Sequence, residues 1–216
     1  MSGASTPEVP TEYTTTVVIG SGLPGLAVAS ELSRRGVSSI VVEGLLSQPS
    51  WPSRLSPFPD PSVRGERNDL LRLLQAYAAS HELDIRRSTF ACGVSRTSGK
   101  IAPALQLDPQ AGALEGRAAR VPSIGRDSKQ RWVIRTERGL LVADSVVLTG
   151  CAQNQMRRLL RSLGIAAGHN AVAVLNAIGL YLVGVADLLA PSTREIIRQA
   201  KVAGNAIAAS GRTAVA

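Results

Sequence analysis

TTTVVIGSGLPGLAVASELSRRGVSSIVVE, residues 14–43, decides how this chain folds. Val17, Val18 and Ile19 form a short β-branched run suited to a buried strand, and Gly20, Gly22 and Gly25 follow at GxGxxG spacing before a helical pattern begins. The glycines differ in purpose. Gly20 permits a tight turn, Gly22 leaves room for a pyrophosphate to approach the backbone, and Gly25 lets helix pack closely on strand. Pro24 suits the first turn of the helix, where a missing N–H is no loss. The helix start then presents free amides and a positive dipole end to an anion. Glu43 closes the run Ile40, Val41, Val42. It stands about 20 residues beyond the loop, where an acid accepts hydrogen bonds from ribose hydroxyls and favours FAD or NAD over NADP. Glycine turns also serve as plain connections, but strand, helix and acid in this order imply a dinucleotide site.

The chain has 216 residues, 44% of them hydrophobic, enough for one sizeable core. A single domain over residues 14–216 is expected. Residues 1–13, MSGASTPEVPTEY, are small, polar and proline-bearing, with neither a basic start nor an apolar centre. They read as a flexible tail rather than a secretory signal, and a cytoplasmic location is expected. Cys92 and Cys151 are far apart and form no CxxC pair, which speaks against a dithiol reductase. The only two histidines, His81 and His169, are not clustered with cysteines, so no metal site is expected. His81 should lie at a helix C-terminus as a dipole contact. The net charge is +8, and Arg157, Arg158 and Arg161 fall on one expected helix. Only 3% of residues are aromatic, however, and the basic residues are dispersed, so nucleic acid is not an expected partner.

Downstream, LLSQPSWPSRLSPFPDPSVRG returns to proline too often for a central strand or long helix and reads as a surface loop over the cofactor. Leu70, Leu71, Leu74, Tyr77 and Ala78 share one face of a helix expected over 66–81, with Asn68 near its cap. A strand is expected over 83–96, an irregular segment over 98–130, and strands at Trp132–Ile134 and Leu140–Thr149 joined by an ERG turn. Residues 171–186, AVAVLNAIGLYLVGVA, are nearly all apolar but too short for a bilayer span. GLYLVGV within them reads as a buried parallel strand, and no membrane partner is expected. Ser192 and Glu195 form an S-x-x-E capping box that should start a last helix running to about residue 209.

Three blocks carry a resemblance to a known group: residues 14–43, then RWVIRTERGLLVADSVVLTG, then GLYLVGV with its following helix. The chain resembles the two-dinucleotide-binding-domain flavoproteins, and within them the flavin-containing monooxygenase-like oxidoreductases. The resemblance implies an α/β, Rossmann-like FAD/NAD(P)-binding domain: a mainly parallel sheet with helices on its faces and a small antiparallel β element. It also implies that Gly20, Ser21, Gly22, Leu23, Pro24 and Gly25 cradle the FAD pyrophosphate and that Glu43 holds the adenosine ribose. Ala91 would meet the adenine through its backbone, Thr149 and Gly150 would pass beside the cofactor, and Gly184 would approach the ribityl chain. The helix starting near Ser192 would aim its amides at the pyrimidine edge of the flavin.

The sequence also departs from that group. Residues 151–178 hold no second GxGxxG, so the chain reads as shortened, without the NADPH domain. Leu148 stands where alanine is usual, Gly44 follows the acid where a basic residue often does, and no acid follows Gly184 directly. The expected function is an FAD-binding oxidoreductase, monooxygenase-like, acting on a small molecule with electrons from a separate reductase or partner subunit. The alternatives are a non-catalytic dinucleotide-binding module, or subunit of a larger complex, and an NAD-binding protein. No catalytic side chain is singled out.

Overall fold

A computed structural model describes residues 10–46, 61–97, 130–150, 157–158, 160–161, 163–164, 171–184 and 191–212. Its strands are β1 (Thr11–Ile19), β2 (Ser39–Leu45), β3 (Asp84–Arg96), β4 (Trp132–Thr136), β5 (Gly139–Thr149) and β6 (Leu180–Val183). Its helices are α1 (Leu23–Arg34), α2 (Pro61–Ser80), α3 (Ala171–Ala177) and α4 (Thr193–Arg212). Strand β1 runs parallel to β2 and to β5, β2 is parallel to β3, and β5 is parallel to β6. The β3–β4 and β4–β5 pairs are antiparallel.

This mixed α/β sheet goes beyond the expected parallel sheet with a small appendix. Strands β3 and β5 are long, at 13 and 11 residues: β3 pairs with β2 over its first part and with β4 over its last, whereas β5 pairs with β1 over Leu140–Leu148 and with β4 over Gly139–Ala143. The ladders therefore close into a ring, β1–β2–β3–β4–β5 and back to β1, with β6 attached to β5.

Alternation along the central strands divides the core in two, because successive strand residues face opposite sides. Val17, Ile19, Ile40, Val42, Val146 and Leu148 point inside the ring, where they meet Val94, Trp132, Ile134 and Leu141. Val18, Val41, Val147, Tyr181 and Val183 point outward onto α1 and α4 through Val28, Leu32, Ile196 and Ile207. Leu70, Leu71 and Leu74 of α2 pack on that outer layer too. The long helices thus share one face, and the antiparallel strands cover the other. Trp132 is fully buried, and its indole N–H donates to Ile178 O at 3.0 Å, which removes the cost of burying that donor.

Several expected bounds move. β1 begins at Thr11, so Thr11, Glu12 and Tyr13, expected as tail, pair with Leu140, Leu141 and Val142. Helix α2 starts at Pro61, not near Asn68, because a proline fits a helix start and the following Ser, Val and Arg continue it. The apolar run over 171–186 splits, with α3 and β6 taking its two halves. Residues 1–9 of the expected tail, residues 47–60 of the expected proline-rich loop, residues 98–129 of the expected irregular segment, Cys151 and His169 lie outside the described residues.

Candidate functional site

The carboxyl ends of the parallel strands form the candidate site, the end at which parallel α/β sheets, open or closed, take ligands. Beyond β1 the chain stays tied to β2: Gly20 N–H donates to Val42 O at 2.9 Å and Ser21 N–H to Glu43 O at 3.3 Å. Gly20 has φ +119°, open to glycine alone, and a Cβ there would overlap Thr149 Oγ1. A Cβ on Gly25 would overlap Gly20 O, so the third glycine sets how closely α1 approaches the turn. Thr149 closes this knot by donating its hydroxyl toward Ile19 O at 3.0 Å and Gly20 O at 3.3 Å.

Gly22 is different. Its backbone is extended (φ −73°, ψ −172°), a conformation any residue adopts, and a Cβ there would meet nothing nearer than Pro24 Cδ at 3.9 Å. Neither backbone nor packing inside the protein requires glycine at this position. No side chain caps α1, and its first bond runs from Leu26 N–H to Gly22 O at 3.0 Å. The amides of Leu23 and Gly25 therefore have no acceptor within the helix, and Pro24 has no amide to satisfy.

Glu43 lies at this loop. Its Oε1 accepts the Ser21 hydroxyl at 3.0 Å and its Oε2 accepts the Ser88 N–H at 3.2 Å. Both donors of Ser21, amide and hydroxyl, thus engage Glu43. Ala91 is fully buried, and its carbonyl accepts Leu46 N–H at 2.8 Å. Gly150 follows Thr149 with φ +63° and is exposed. Gly184, at the end of β6, packs on the first turn of α1, where a Cβ would fall 2.6 Å from Pro24 Cγ. The structure thus joins Gly20, Gly25 and Thr149, joins Pro24 and Gly184, and joins Ser21 and Glu43.

Two contributors carry weak sequence signals. Gln199 of α4 accepts Gly184 N–H at 2.8 Å through Oε1, while its Nε2 donates to Glu195 Oε1 at 2.8 Å. The i, i+4 spacing of Glu195 and Gln199 is the clue the sequence offers. Ser88, within β3, follows no periodic signal. At the start of α4 half of the expected box forms: Glu195 N–H donates to Ser192 Oγ at 3.3 Å. The Glu195 carboxylate turns to Arg198 and Gln199, which hold its pKa down to about 2, Arg198 most strongly.

The remaining titratable side chains are less suggestive. Burial pushes the Cys92 thiol up from its ordinary value, away from a reactive thiolate. The His81 ring stands edge-on to Tyr77, with centroids 3.9 Å apart, just past α2. Among the described residues no three His, Cys, Asp or Glu side chains gather, and no helix is long and apolar enough to cross a membrane.

No protein-family model and no curated protein sequence matches this chain. Among solved structures, it is similar to THI4 of Thermovibrio ammonificans, at 14% identity and a TM-score of 0.53, over 93% of this chain and 90% of that one. A flavin-containing monooxygenase from Stenotrophomonas maltophilia matches at 20% identity and a TM-score of 0.34, over 63% of this chain. A bacillithiol disulfide reductase from Staphylococcus aureus matches at 15% identity and a TM-score of 0.36, over 64% of this chain. The match spans 38% of the length of each of those two proteins. The likeness to THI4, covering nearly all of both chains, shows a common fold.

Proposed function

We propose that this chain, built on the fold of the FAD/NAD(P)-binding superfamily, is an FAD-binding oxidoreductase, monooxygenase-like, that acts on a small molecule. The observation that carries this reading is Gly22. A glycine that neither its dihedrals nor its neighbours require, at the uncapped start of a helix, is explained by a ligand that must come close to the backbone. The amides of Gly22, Leu23 and Gly25 would take the pyrophosphate, while Gly20, Ser21 and Pro24 shape the turn. Glu43 would accept from the adenosine ribose, and the backbone of Ala91 would face the adenine. Thr149, Gly150 and Gly184 would line the path of the remainder, with the first turn of α4 directed at the pyrimidine edge. When bound, FAD supplies the redox chemistry, and the protein supplies orientation and electrostatics. NAD is the alternative occupant, since Glu43 serves either ribose.

Residues 151–178 carry no second glycine motif, so electrons would come from a separate reductase or partner subunit. The same observation favours a second reading, a dinucleotide-binding module, or subunit of a larger complex, that holds the cofactor without turnover.

The test is the visible spectrum of the purified protein, before and after added FAD, followed by photoreduction and exposure to air. A flavin spectrum that bleaches and returns supports the oxidoreductase, and a bound flavin that does not cycle supports the module. Gly22→Ala should keep the fold and weaken FAD binding at least about tenfold, because a methyl group displaces the phosphate from its amides. A folded protein that binds no FAD sinks the flavoprotein reading.

A further inference from the structure

The ladder between β2 and β3 breaks at one place. Val42 pairs with Arg86 and Gly44 with Phe90, so Arg87, Ser88 and Thr89 together face Glu43 alone. The bulge carries local penalties. Ser88 sits at φ +57°, in the left-handed region that disfavours residues with a Cβ, and the Thr89 hydroxyl is buried at 1% exposure without a partner among the described residues. In return it brings the Ser88 N–H to within 3.2 Å of Glu43 Oε2. From the other side the glycine loop brings the Ser21 hydroxyl to 3.0 Å from Oε1.

We infer that Ser21 and Ser88 are positioning residues that clamp the Glu43 carboxylate so that it presents one free acceptor site on each oxygen to the vicinal diol of a ribose. An ionised carboxylate has about four acceptor sites, two on each oxygen. One on each oxygen is taken by the protein, and the two left match a diol with two hydroxyl donors. The inference rests on the reading of this loop as a dinucleotide site. It assigns Ser21 to the ribose end through Glu43, since both of its donors are spent there.

The test is FAD affinity, measured by quenching of flavin fluorescence, in a double-mutant cycle of Ser21→Ala, Glu43→Ala and both together, with thermal melts as a check on folding. Ser21→Ala should weaken FAD by about tenfold or more, the loss expected for a hydrogen bond to a charged group. That loss should vanish in the Glu43→Ala background, because the clamp acts only through the carboxylate. Ser21→Thr, which keeps the hydroxyl, should restore affinity to within about twofold of the parent. A parent protein that binds neither FAD nor NAD overturns the clamp together with the reading beneath it. A parent that binds FAD while Ser21→Ala binds equally well overturns the clamp alone. So does a Ser21→Ala loss that persists undiminished without Glu43, which would make Ser21 a direct contact of the phosphates.

Discussion

The three glycines of the loop are alike in sequence and unlike in physical role. Gly20 and Gly25 are fixed from within, one by its left-handed backbone and by Thr149, the other by the carbonyl of Gly20. Gly22 is free of both constraints. The motif spacing reveals that glycines belong here, but the partner of Gly20 and Gly25 is not legible in it. The resemblance sets Thr149 beside the cofactor, and its hydroxyl proves to bind the turn itself. Contacts of this kind join residues far apart in the chain and leave no periodic trace. Thr149→Val should therefore lower stability by about 1–2 kcal/mol, the cost of losing the one hydroxyl hydrogen that the Ile19 and Gly20 carbonyls share. Chemical denaturation measures it, and an unchanged midpoint would show that the hydroxyl contributes nothing.

Helix endings show how far local sequence carries at the next scale. After α1, Val37 N–H reaches back to Leu32 O at 3.0 Å, with Gly36 at φ +69° supplying the left-handed residue that such an ending needs. After α2 the same pattern recurs, with Leu83 N–H to Ala78 O at 3.0 Å, but Glu82 occupies the left-handed position at φ +49°. Glycine announces the first stop, and no glycine announces the second. Glu82→Gly should raise stability by about 1 kcal/mol by relieving the Cβ clash, visible as a higher melting temperature. A lower one would mean that the Glu82 side chain stabilises more than its backbone strain costs. The start of α2 departs from expectation for a related reason. Proline density suggests a loop, whereas Pro61 opens the helix.

The path of the whole chain is legible only in part. Strand order around β1 follows from the first βαβ unit, and the buried run of β6 follows from its unbroken apolar character. Ring closure does not follow, because it depends on β4 pairing with both β3 and β5 while each of those also holds a parallel neighbour, and a strand's second partner is written nowhere in its own alternation. Closure lets the antiparallel strands cover the inner face while α1, α2 and α4 cover the outer one. The carboxyl edge of the parallel strands is where the glycine loop, Glu43, Thr149 and Gly184 gather. If backbone amides at the start of α1 hold a diphosphate, they must respond when it arrives. The most direct measurement is a titration of the isotope-labelled protein with FAD, followed through the amide resonances of the loop. Saturable shifts are expected at Gly22, Leu23 and Gly25, with smaller ones at Glu43 and Gly184. Saturable binding that leaves those three amides unmoved would contradict the diphosphate site.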